Sequence, residues 1–388
     1  MTPAARVAAA ITILDAILDG HSAEGALNHW SRNSRFAGSK DRAAVRDHVY
    51  CALRRKASSL GVTRGTTGRD WMRGFLFNAG EDLSSIFGVG GHSPDALSDD
   101  ETTFYPDLDP ATAHDIPNWL WDRWVEDLGE DASATAKNLF DAAPIFLRVN
   151  LLKSTRDAAI AALAADGIDV VAHAHVDTAL RVKARGGKLA HSAAYSDGLV
   201  ELQDASSQAS VMVLPREDGG PVLDYCAGGG GKSLALAAWL STEVDAFDVD
   251  SARMRDIPDR AQRAGAAVNV LHDENEIKHS YKTIFIDSPC SGSGTWRRDP
   301  QGKWALTADR LSELVRIQGD ILNDICTRVA EGGSLIYATC SVLACENRDQ
   351  VEQFCRLNPN WQVTQMIQSV PNDDGDGFFV ARLTQKNS

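Results

Sequence analysis

The sequence predicts an α/β protein in which a domain with a mostly parallel sheet and helices on both faces follows a small α+β module and an all-helical N-terminal domain. From Val222 onward, short apolar runs alternate with helical periodicity. The stretch before it mixes both periods, and the N-terminal stretch shows the helical period only. Alternating strands and helices are typical of a parallel sheet, whose ligands bind at the carboxyl ends of the strands.

We expect three domains, which a chain of 388 residues can accommodate with one core each. The helical domain covers residues 1–95, the α+β module residues 113–208 and the α/β domain residues 209–388. A Gly-rich and then acidic stretch at 88–110 separates the first two domains.

Individual elements of the last two domains follow from the same periodicity. The expected strands are 146–150, 222–225, 244–247, 268–271, 283–286 and 334–337. The expected helices are 155–165, 234–240, 254–264, 311–329 and 347–357.

The net charge of −14 argues at first sight against nucleic acid, because phosphate binding usually requires a basic domain. The charges are segregated, however: residues 32–73 carry eleven Lys or Arg against three acids, and residues 95–131 carry twelve acids against one Arg. In the basic part, an apolar helical stripe lies beside a row of cations, Arg42, Arg46, Arg54, Arg55 and Lys56. This basic face is a candidate RNA surface, and two solvated faces of opposite sign are the open alternative.

No stretch approaches ~20 consecutive apolar residues, and Arg6 and Asp15 interrupt the N-terminal segment, so we expect neither a membrane span nor a signal peptide. The seven cysteines are scattered without CxxC spacing, which indicates neither a zinc site nor a disulfide framework. We therefore expect a monomer in a reducing cytoplasm, without a metal or a membrane partner.

A glycine-rich segment, DYCAGGGGK at 224–232, lies between a predicted strand and a predicted helix. Its glycines, Gly228, Gly229, Gly230 and Gly231, let the backbone approach a ligand closely, and the start of the helix offers unpaired N–H donors. The spacing matches neither a phosphate loop nor GxGxxG. We expect a nucleotide-like cofactor here, with a structural tight turn as the open alternative.

Acidic residues follow the next strands. Asp248 and Asp250 come after the second strand, where a carboxylate normally binds a ribose diol, so we expect one of them to do so while the other could cap a helix. Asp273 follows the third strand, where it could contact an adenine, and Asp287 follows the fourth.

Two cysteines also follow strands of the predicted sheet. Cys290 lies in Asp-Ser-Pro-Cys after the fourth strand, and Cys340 lies in Thr-Cys-Ser after the next buried strand. A lone buried cysteine is usually an inert small hydrophobe. The carboxyl ends of the strands are, however, where ligands bind in this type of fold, so these two thiols are candidates for chemistry.

These segments together resemble the Sun (RsmB-type) family of RNA (cytosine-5)-methyltransferases over most of the chain. The motifs that carry the resemblance are LRVN at 147–150, Leu152 with Lys153, QDASSQ at 203–208, the glycine segment, the two cysteine motifs and GDGFF at 375–379. The N-terminal segment, through KDR at 40–42 and ALRR at 52–55, is similar to the family's NusB-like RNA-binding domain. The resemblance implies a Rossmann-like, S-adenosylmethionine-dependent methyltransferase domain.

The resemblance also implies roles for particular residues. Cys340 matches the family's nucleophile and Cys290 the cysteine that helps to release the product. Cofactor contacts are implied for the segment from Cys226 and Ala227 to Lys232 and for the acids Asp248, Asp273 and Asp287. The expected substrate is small-subunit (16S) ribosomal RNA.

The chemistry explains why thiols are needed. Carbon 5 of cytosine is a weak nucleophile, so a thiolate first adds to carbon 6 and makes an enamine. Asp287 is placed to assist at ring nitrogen 3, and Lys232 could lower the pKa of the thiol from its free value of about 8.5. The target base must also leave any stack to enter the pocket.

Two departures from the family pattern stand out. Gly228 and Gly229 replace Ala and Pro, so we expect a looser loop with modestly weaker cofactor binding, and Ser288 replaces Ala. Three alternatives stay open: a transfer RNA substrate, a non-catalytic RNA-binding ribosome-assembly factor, and a small-molecule methyltransferase, which would not need the helical domain.

Overall fold

The computed structural model describes residues 1–183 and 189–386, which form two compact units. The helical unit contains Met1–Ala142 and Trp296–Leu306, and the α/β unit contains Ala143–Thr295 and Thr307–Ser388. The α/β unit includes both the small module and the large sheet. This division describes packing and does not test the domain boundaries expected from the sequence, which stay a prediction.

The helical unit is built from short amphipathic helices. Its helices are Pro3–Leu18, Ala23–Asn33, Ser39–Arg54, Lys56–Thr63, Gly68–Asn78, Pro110–Ala113, Asn118–Leu128, Ala132–Asn138 and Pro300–Ala305. The predicted apolar stripe is confirmed, because Val45, Val49, Ala52 and Leu53 are all buried in the core.

The predicted basic face is wrong at one position. Arg42 and Arg46 are exposed, and Arg55 and Lys56 are half-buried, but Arg54 is buried. The Arg54 Nε atom donates a 2.8 Å hydrogen bond to the carbonyl oxygen of Arg297. Helical periodicity alone could not reveal this partner, since it is distant in sequence.

The small module in the α/β unit is a four-stranded antiparallel sheet. Its strands are β1 Phe146–Val149, β2 Val170–Ala172, β3 Ala179–Val182 and β4 Val200–Leu202, in the order β2-β3-β1-β4. Its helices are Arg156–Ala165, Ala193–Ser196 and Ala205–Val211. The strand and the helix predicted for this region are both confirmed, each within one residue of its expected bounds.

The large sheet has seven strands in the order β10-β11-β9-β8-β5-β6-β7. They are β5 Val222–Asp224, β6 Val244–Phe247, β7 Val268–Leu271, β8 Tyr281–Asp287, β9 Val329–Thr339, β10 Trp361–Ser369 and β11 Phe378–Gln385. Strands β5 to β9 are parallel, and β10 and β11 add an antiparallel hairpin at the β9 edge. The expected mostly parallel sheet is confirmed.

Helices cover both faces of this sheet. Ala308–Ile325 and Arg348–Leu357 contribute Leu322 and Phe354 to the apolar core on one face. Gly231–Leu240 packs on the other face, and Ile257–Ala264 packs beside it. No helix among the described residues is both long enough and apolar enough to cross a bilayer.

One expected helix is corrected, and strand β10 was not expected from the sequence. The helix expected at 311–329 ends at Ile325, and Val329 already belongs to β9. An apolar residue that follows a helix is compatible with a further helical turn and with the start of a strand, so the apolar periodicity does not distinguish the two. The sequence also gave no signal for β10, because seven of its nine residues are exposed and the apolar alternation of a half-buried strand is absent.

Candidate active site

The site lies where the parallel strands of the large sheet end. In the pairing of β8 with β9, Asp287 is opposite Ala338. Two backbone hydrogen bonds continue this alignment past the strands, from Ser288 N to the Ala338 carbonyl and from Gly294 N to the Cys340 carbonyl, both 2.9 Å. The two cysteine motifs are therefore neighbouring loops at one edge of the sheet.

The structure brings the two predicted thiols into contact. The Sγ atoms of Cys290 and Cys340 are 3.4 Å apart, and both side chains are half-buried. The Thr295 hydroxyl lies 3.9 Å from Cys340 Sγ, within hydrogen-bond range of a sulfur. Both cysteines can therefore reach one reacting centre.

The two thiols differ in acidity. A hydrogen bond from Cys290 lowers the pKa of Cys340, and the Lys232 charge and the Thr295 hydroxyl act in the same direction, whereas burial and the Asp287 carboxylate oppose it. The same hydrogen bond, burial and the negative charge of Cys340 raise the pKa of Cys290 well above its usual range. Of the two thiols, Cys340 therefore has the lower pKa and Cys290 the higher.

Lys232 forms an ion pair with Asp287, with Nζ 2.6 Å from Oδ2. The lysine is buried, and the carboxylate side chain is 34% exposed. Burial lowers the pKa of Lys232, but the contact with Asp287 outweighs it and the net shift is upward, so the amine stays charged. Sequence reasoning expected Lys232 to acidify the thiol, and the structure gives a larger share of that effect to Cys290.

The glycine segment forms a tight loop between β5 and the next helix. Gly228 and Gly230 have φ of +50° and +79°, which favour glycine, and a Cβ on Gly230 would lie 2.7 Å from the Ile257 side chain. Side chains hold its carbonyl groups: Arg148 Nη1 donates a 2.7 Å hydrogen bond to the Gly231 oxygen, and Arg260 donates one to the Gly229 oxygen. These two hydrogen bonds restrain a loop in which Gly229 stands where the family has proline. Sequence reasoning missed both of them.

The acids after β6 have different environments. Asp248 is buried, and its carboxylate accepts hydrogen bonds from Gly228 N and Arg253 Nη1, both 2.9 Å. Asp250 is exposed and accepts a 3.1 Å hydrogen bond from Ala252 N at the start of a short turn. Of the two candidates that the sequence left open, Asp248 is therefore the one that contacts the glycine loop. Asp273 is exposed after β7 and accepts hydrogen bonds from the Asn275 backbone and side chain.

Asp224, at the end of β5, is a buried carboxyl group that sequence reasoning did not assign. One of its oxygens accepts a 2.6 Å hydrogen bond from Ser233 Oγ, and Oδ1 has no hydrogen-bond partner among the described residues. Burial raises the pKa of Asp224 to about 7, although the Ser233 hydrogen bond acts in the opposite direction. Cys226 nearby is half-buried, and burial raises the pKa of its thiol.

These groups fit a nucleoside cofactor that carries a positive charge. The glycine loop allows close approach of a ligand, and Asp248 supplies carboxylate oxygens. The buried Oδ1 atom of Asp224 can accept a hydrogen bond and has no partner among the described residues. Within the described part of the chain, no cluster of three or more His, Cys, Asp or Glu side chains could hold a metal ion.

Glu346 is a further residue at the site that sequence reasoning missed. It is fully buried after β9, and its carboxylate accepts hydrogen bonds from Ser291 and Ser341, which directly follow the two cysteines. The only signal in the sequence is an acid shortly after the Thr-Cys-Ser motif.

Family models match two parts of the chain. The model of the 16S rRNA methyltransferase RsmB/F family matches residues 211–384, and that of the RsmF/B-like ferredoxin-like domain matches residues 116–187. Among curated relatives, ribosomal RNA small subunit methyltransferase B of Citrobacter koseri is 32% identical over 70% of this chain and 66% of its own length. That of Salmonella paratyphi B is 33% identical over 63% of this chain and 60% of its own length. The aligned part thus spans slightly less than two thirds of these relatives.

Solved structures share the fold. The crystal structure of PH0851 has a TM-score of 0.76 and 22% identity, with 99% of each chain covered. A methyltransferase homolog protein from Pyrococcus horikoshii has a TM-score of 0.63 and 23% identity over 72% of this chain and all of its own. NSun6 from the same organism, solved with the S-adenosylmethionine analogue SFG, has a TM-score of 0.61 and 16% identity over 70% of this chain and 99% of its own.

Asp224→Asn should change how stability depends on pH. Folding raises the pKa of Asp224 from 3.8 to about 7, so the stability contributed by its proton is complete below the lower value and is lost as the pH rises through the upper one. The loss is about 1.4 kcal/mol per unit of pKa shift. Asparagine can still accept the Ser233 hydrogen bond but does not titrate. The Tm of the variant should therefore rise relative to the wild type between these two pH values and stay level above them.

Thermal denaturation followed by circular dichroism at several pH values measures this difference. Asp374→Asn, which changes an exposed acid, is the matched control and should show no such trend. A Tm difference between Asp224→Asn and the wild type that does not vary with pH would contradict the raised pKa.

Proposed function

We propose that the chain, whose residues 211–384 match the RsmB/F methyltransferase family model, is an S-adenosylmethionine-dependent RNA methyltransferase that forms 5-methylcytosine in small-subunit (16S) ribosomal RNA. The names of its curated relatives support ribosomal RNA as the substrate. The observation that carries the proposal is the contact between two thiols of unequal acidity, 3.4 Å apart at the ends of β8 and β9.

In the proposed reaction, the Cys340 thiolate attacks carbon 6 of the cytosine. The carbon–sulfur bond forms as the electron pair of the 5,6 double bond shifts to carbon 5, which becomes nucleophilic. S-adenosylmethionine, when bound, supplies an electrophilic methyl group. Asp287 accepts a hydrogen bond from Lys232 Nζ. We assign Asp287 to ring nitrogen 3, where a proton or a hydrogen bond assists the addition.

Release of the product requires a base to take the proton from carbon 5. The electron pair of that carbon–hydrogen bond then restores the 5,6 double bond, and the carbon–sulfur bond breaks with its pair leaving on the Cys340 sulfur as a thiolate. A thiolate leaves more readily when its pKa is lower, and the hydrogen bond from Cys290 lowers the pKa of Cys340. We therefore assign Cys290 to the elimination step. The family resemblance implies the same roles, with Cys340 as the nucleophile and Cys290 in product release.

The cofactor contacts are proposed for the residues expected from the sequence, Cys226, Ala227, Gly228, Gly229, Gly230, Gly231, Lys232, Asp248, Asp250, Asp273 and Asp287. Within this set, we assign the ribose to Asp248 rather than Asp250, because Asp248 is buried against the glycine loop. We add Asp224, which ends β5 just before the same loop and has one oxygen without a hydrogen-bond partner among the described residues.

RNA affinity is proposed for the exposed part of the basic face, Arg42 and Arg46, in a NusB-like domain of a monomer. The cytoplasm is the expected location, since its reducing conditions keep catalytic thiols free. A transfer RNA substrate would leave the chemistry unchanged.

Labelled S-adenosylmethionine incubated with separate pools of undermethylated ribosomal and transfer RNA, followed by bisulfite mapping, tests the proposed function. We expect label at a cytosine of small-subunit ribosomal RNA. Label in transfer RNA alone would overturn the substrate and keep the reaction. Label in neither pool would favour the assembly-factor alternative.

Substitution of the two cysteines should separate their roles. Cys340→Ala should abolish methylation because it removes the nucleophile, and Cys290→Ala should accumulate a covalent protein–RNA adduct because elimination stalls. Methylation is measured with the labelled cofactor and the adduct by denaturing gel. Cys326→Ala, which removes a buried thiol just before the start of β9 and so away from the carboxyl ends of the strands, is the control and should do neither. Turnover by Cys340→Ala, or the absence of an adduct with Cys290→Ala, would contradict the scheme.

A further inference from the structure

Glu346 is a fully buried carboxylate whose four observed donors are all neutral groups. Oε1 accepts hydrogen bonds from Ser291 N at 2.8 Å and Gln318 Nε2 at 3.0 Å. Oε2 accepts hydrogen bonds from Ser291 Oγ and Ser341 Oγ, both 2.5 Å. A buried charge is expensive unless hydrogen bonds replace its hydration, and here four donors do so.

The donors to Glu346 belong to the two loops that carry Cys290 and Cys340. Ser291 directly follows Cys290, and Ser341 directly follows Cys340, so Oε2 bridges the two loops one residue beyond each thiol. The Gln318 side chain, which donates to Glu346, also donates a 3.0 Å hydrogen bond to the carbonyl oxygen of Pro289, the residue before Cys290. Glu346 therefore fastens both thiol-bearing loops at the same point.

Other hydrogen bonds fix the Ser341 side chain and the backbone of Glu346. Ser293 Oγ lies 2.9 Å from Ser341 Oγ and accepts a 2.9 Å hydrogen bond from Val342 N. Tyr337 OH donates a 2.6 Å hydrogen bond to the Glu346 carbonyl oxygen, which fixes the backbone of the acid. The carboxylate thus has little freedom to move away from the two serines.

We propose that Glu346 is a positioning residue that holds the Cys290 loop against the Cys340 loop and so keeps the two thiols in contact. The proposal rests on the proposed function, in which this contact makes Cys340 the nucleophile. Two effects act together. The hydrogen bonds of Glu346 fix the loops, and its negative charge disfavours ionisation of Cys290, which keeps that thiol a donor to Cys340.

Two substitutions separate the effect of the Glu346 hydrogen bonds from the effect of its negative charge. Glu346→Gln keeps groups able to hydrogen-bond both serines but removes the charge, and Glu346→Ala removes both. Glu352→Gln, on the exposed face of the helix that follows, is the matched control. All variants are made in the full chain, and their thermal unfolding is compared with the wild type before any activity is interpreted.

The first readout is the reactivity of each thiol toward iodoacetamide as a function of pH, resolved by mass spectrometry of the Cys290 and Cys340 peptides. In the wild type, Cys340 should react at lower pH than Cys290. Both Glu346 variants should narrow the difference between the two midpoints, and Glu346→Ala should narrow it more. Glu352→Gln should leave it unchanged.

The second readout is methyl transfer to RNA. Loss of thiol positioning should lower kcat by about tenfold or more, while KM for RNA should change little because Glu346 is fully buried. If either Glu346 variant fails to fold, Ser291→Ala and Ser341→Ala, which each remove one side-chain arm of the bridge, should shift both readouts in the same direction by smaller amounts.

Folded Glu346 variants with the wild-type difference between the thiol midpoints would overturn the inference, and so would an unchanged kcat. Lack of methyl transfer by the wild-type protein would instead contradict the proposed function, and the alkylation profiles would still decide whether Glu346 positions the thiols.

Discussion

The parallel pairing of β8 with β9 is the constraint on which the site depends. Because the two strands are in register up to Asp287 and Ala338, the loops that follow them start side by side. Cys290 and Cys340 then need to be only a few residues beyond the strands to meet. The loops are tied together at Gly294 and at Glu346, so the distance between the sulfur atoms is set by backbone register and by a buried carboxylate.

The electrostatics of the site follow from this arrangement. Acids at the ends of neighbouring strands gather negative charge, and the buried ammonium of Lys232 is placed among them against Asp287. Among the residues that the structure describes, no cation contacts the Asp224 carboxylate, and burial raises its pKa. A cationic cofactor would offset part of this negative charge, which gives a physical reason for the unpaired acceptor on Asp224.

The glycine loop shows how a departure from a family pattern can be accommodated. Loss of a proline makes the unfolded chain more flexible and raises the entropic cost of ordering the loop. Arg148 and Arg260 hydrogen-bond carbonyl groups of this loop from outside, which opposes that flexibility. The modest loss of cofactor affinity expected from the sequence stays a prediction, and these contacts argue for a smaller loss.

Sequence reasoning predicted the features that depend on local pattern. The five parallel strands β5 to β9, the acids after them and the two cysteines follow from periodicity and from the rule that ligands bind at the carboxyl ends of strands. It missed features that depend on contacts between distant residues. Glu346 and Arg148 act on residues 55 and 83 positions away, Arg54 is buried against Arg297, and β10 is too exposed to show an apolar alternation.

The proposed chemistry requires Cys340 to be the more acidic of two thiols in contact. It is tested most directly by measuring, in the wild-type protein without RNA or cofactor, the pKa of each thiol from the pH dependence of its alkylation. We predict that the pKa of Cys340 lies below that of a free thiol, about 8.5, and that the pKa of Cys290 lies above it. Equal pKa values, or the lower value at Cys290, would contradict it.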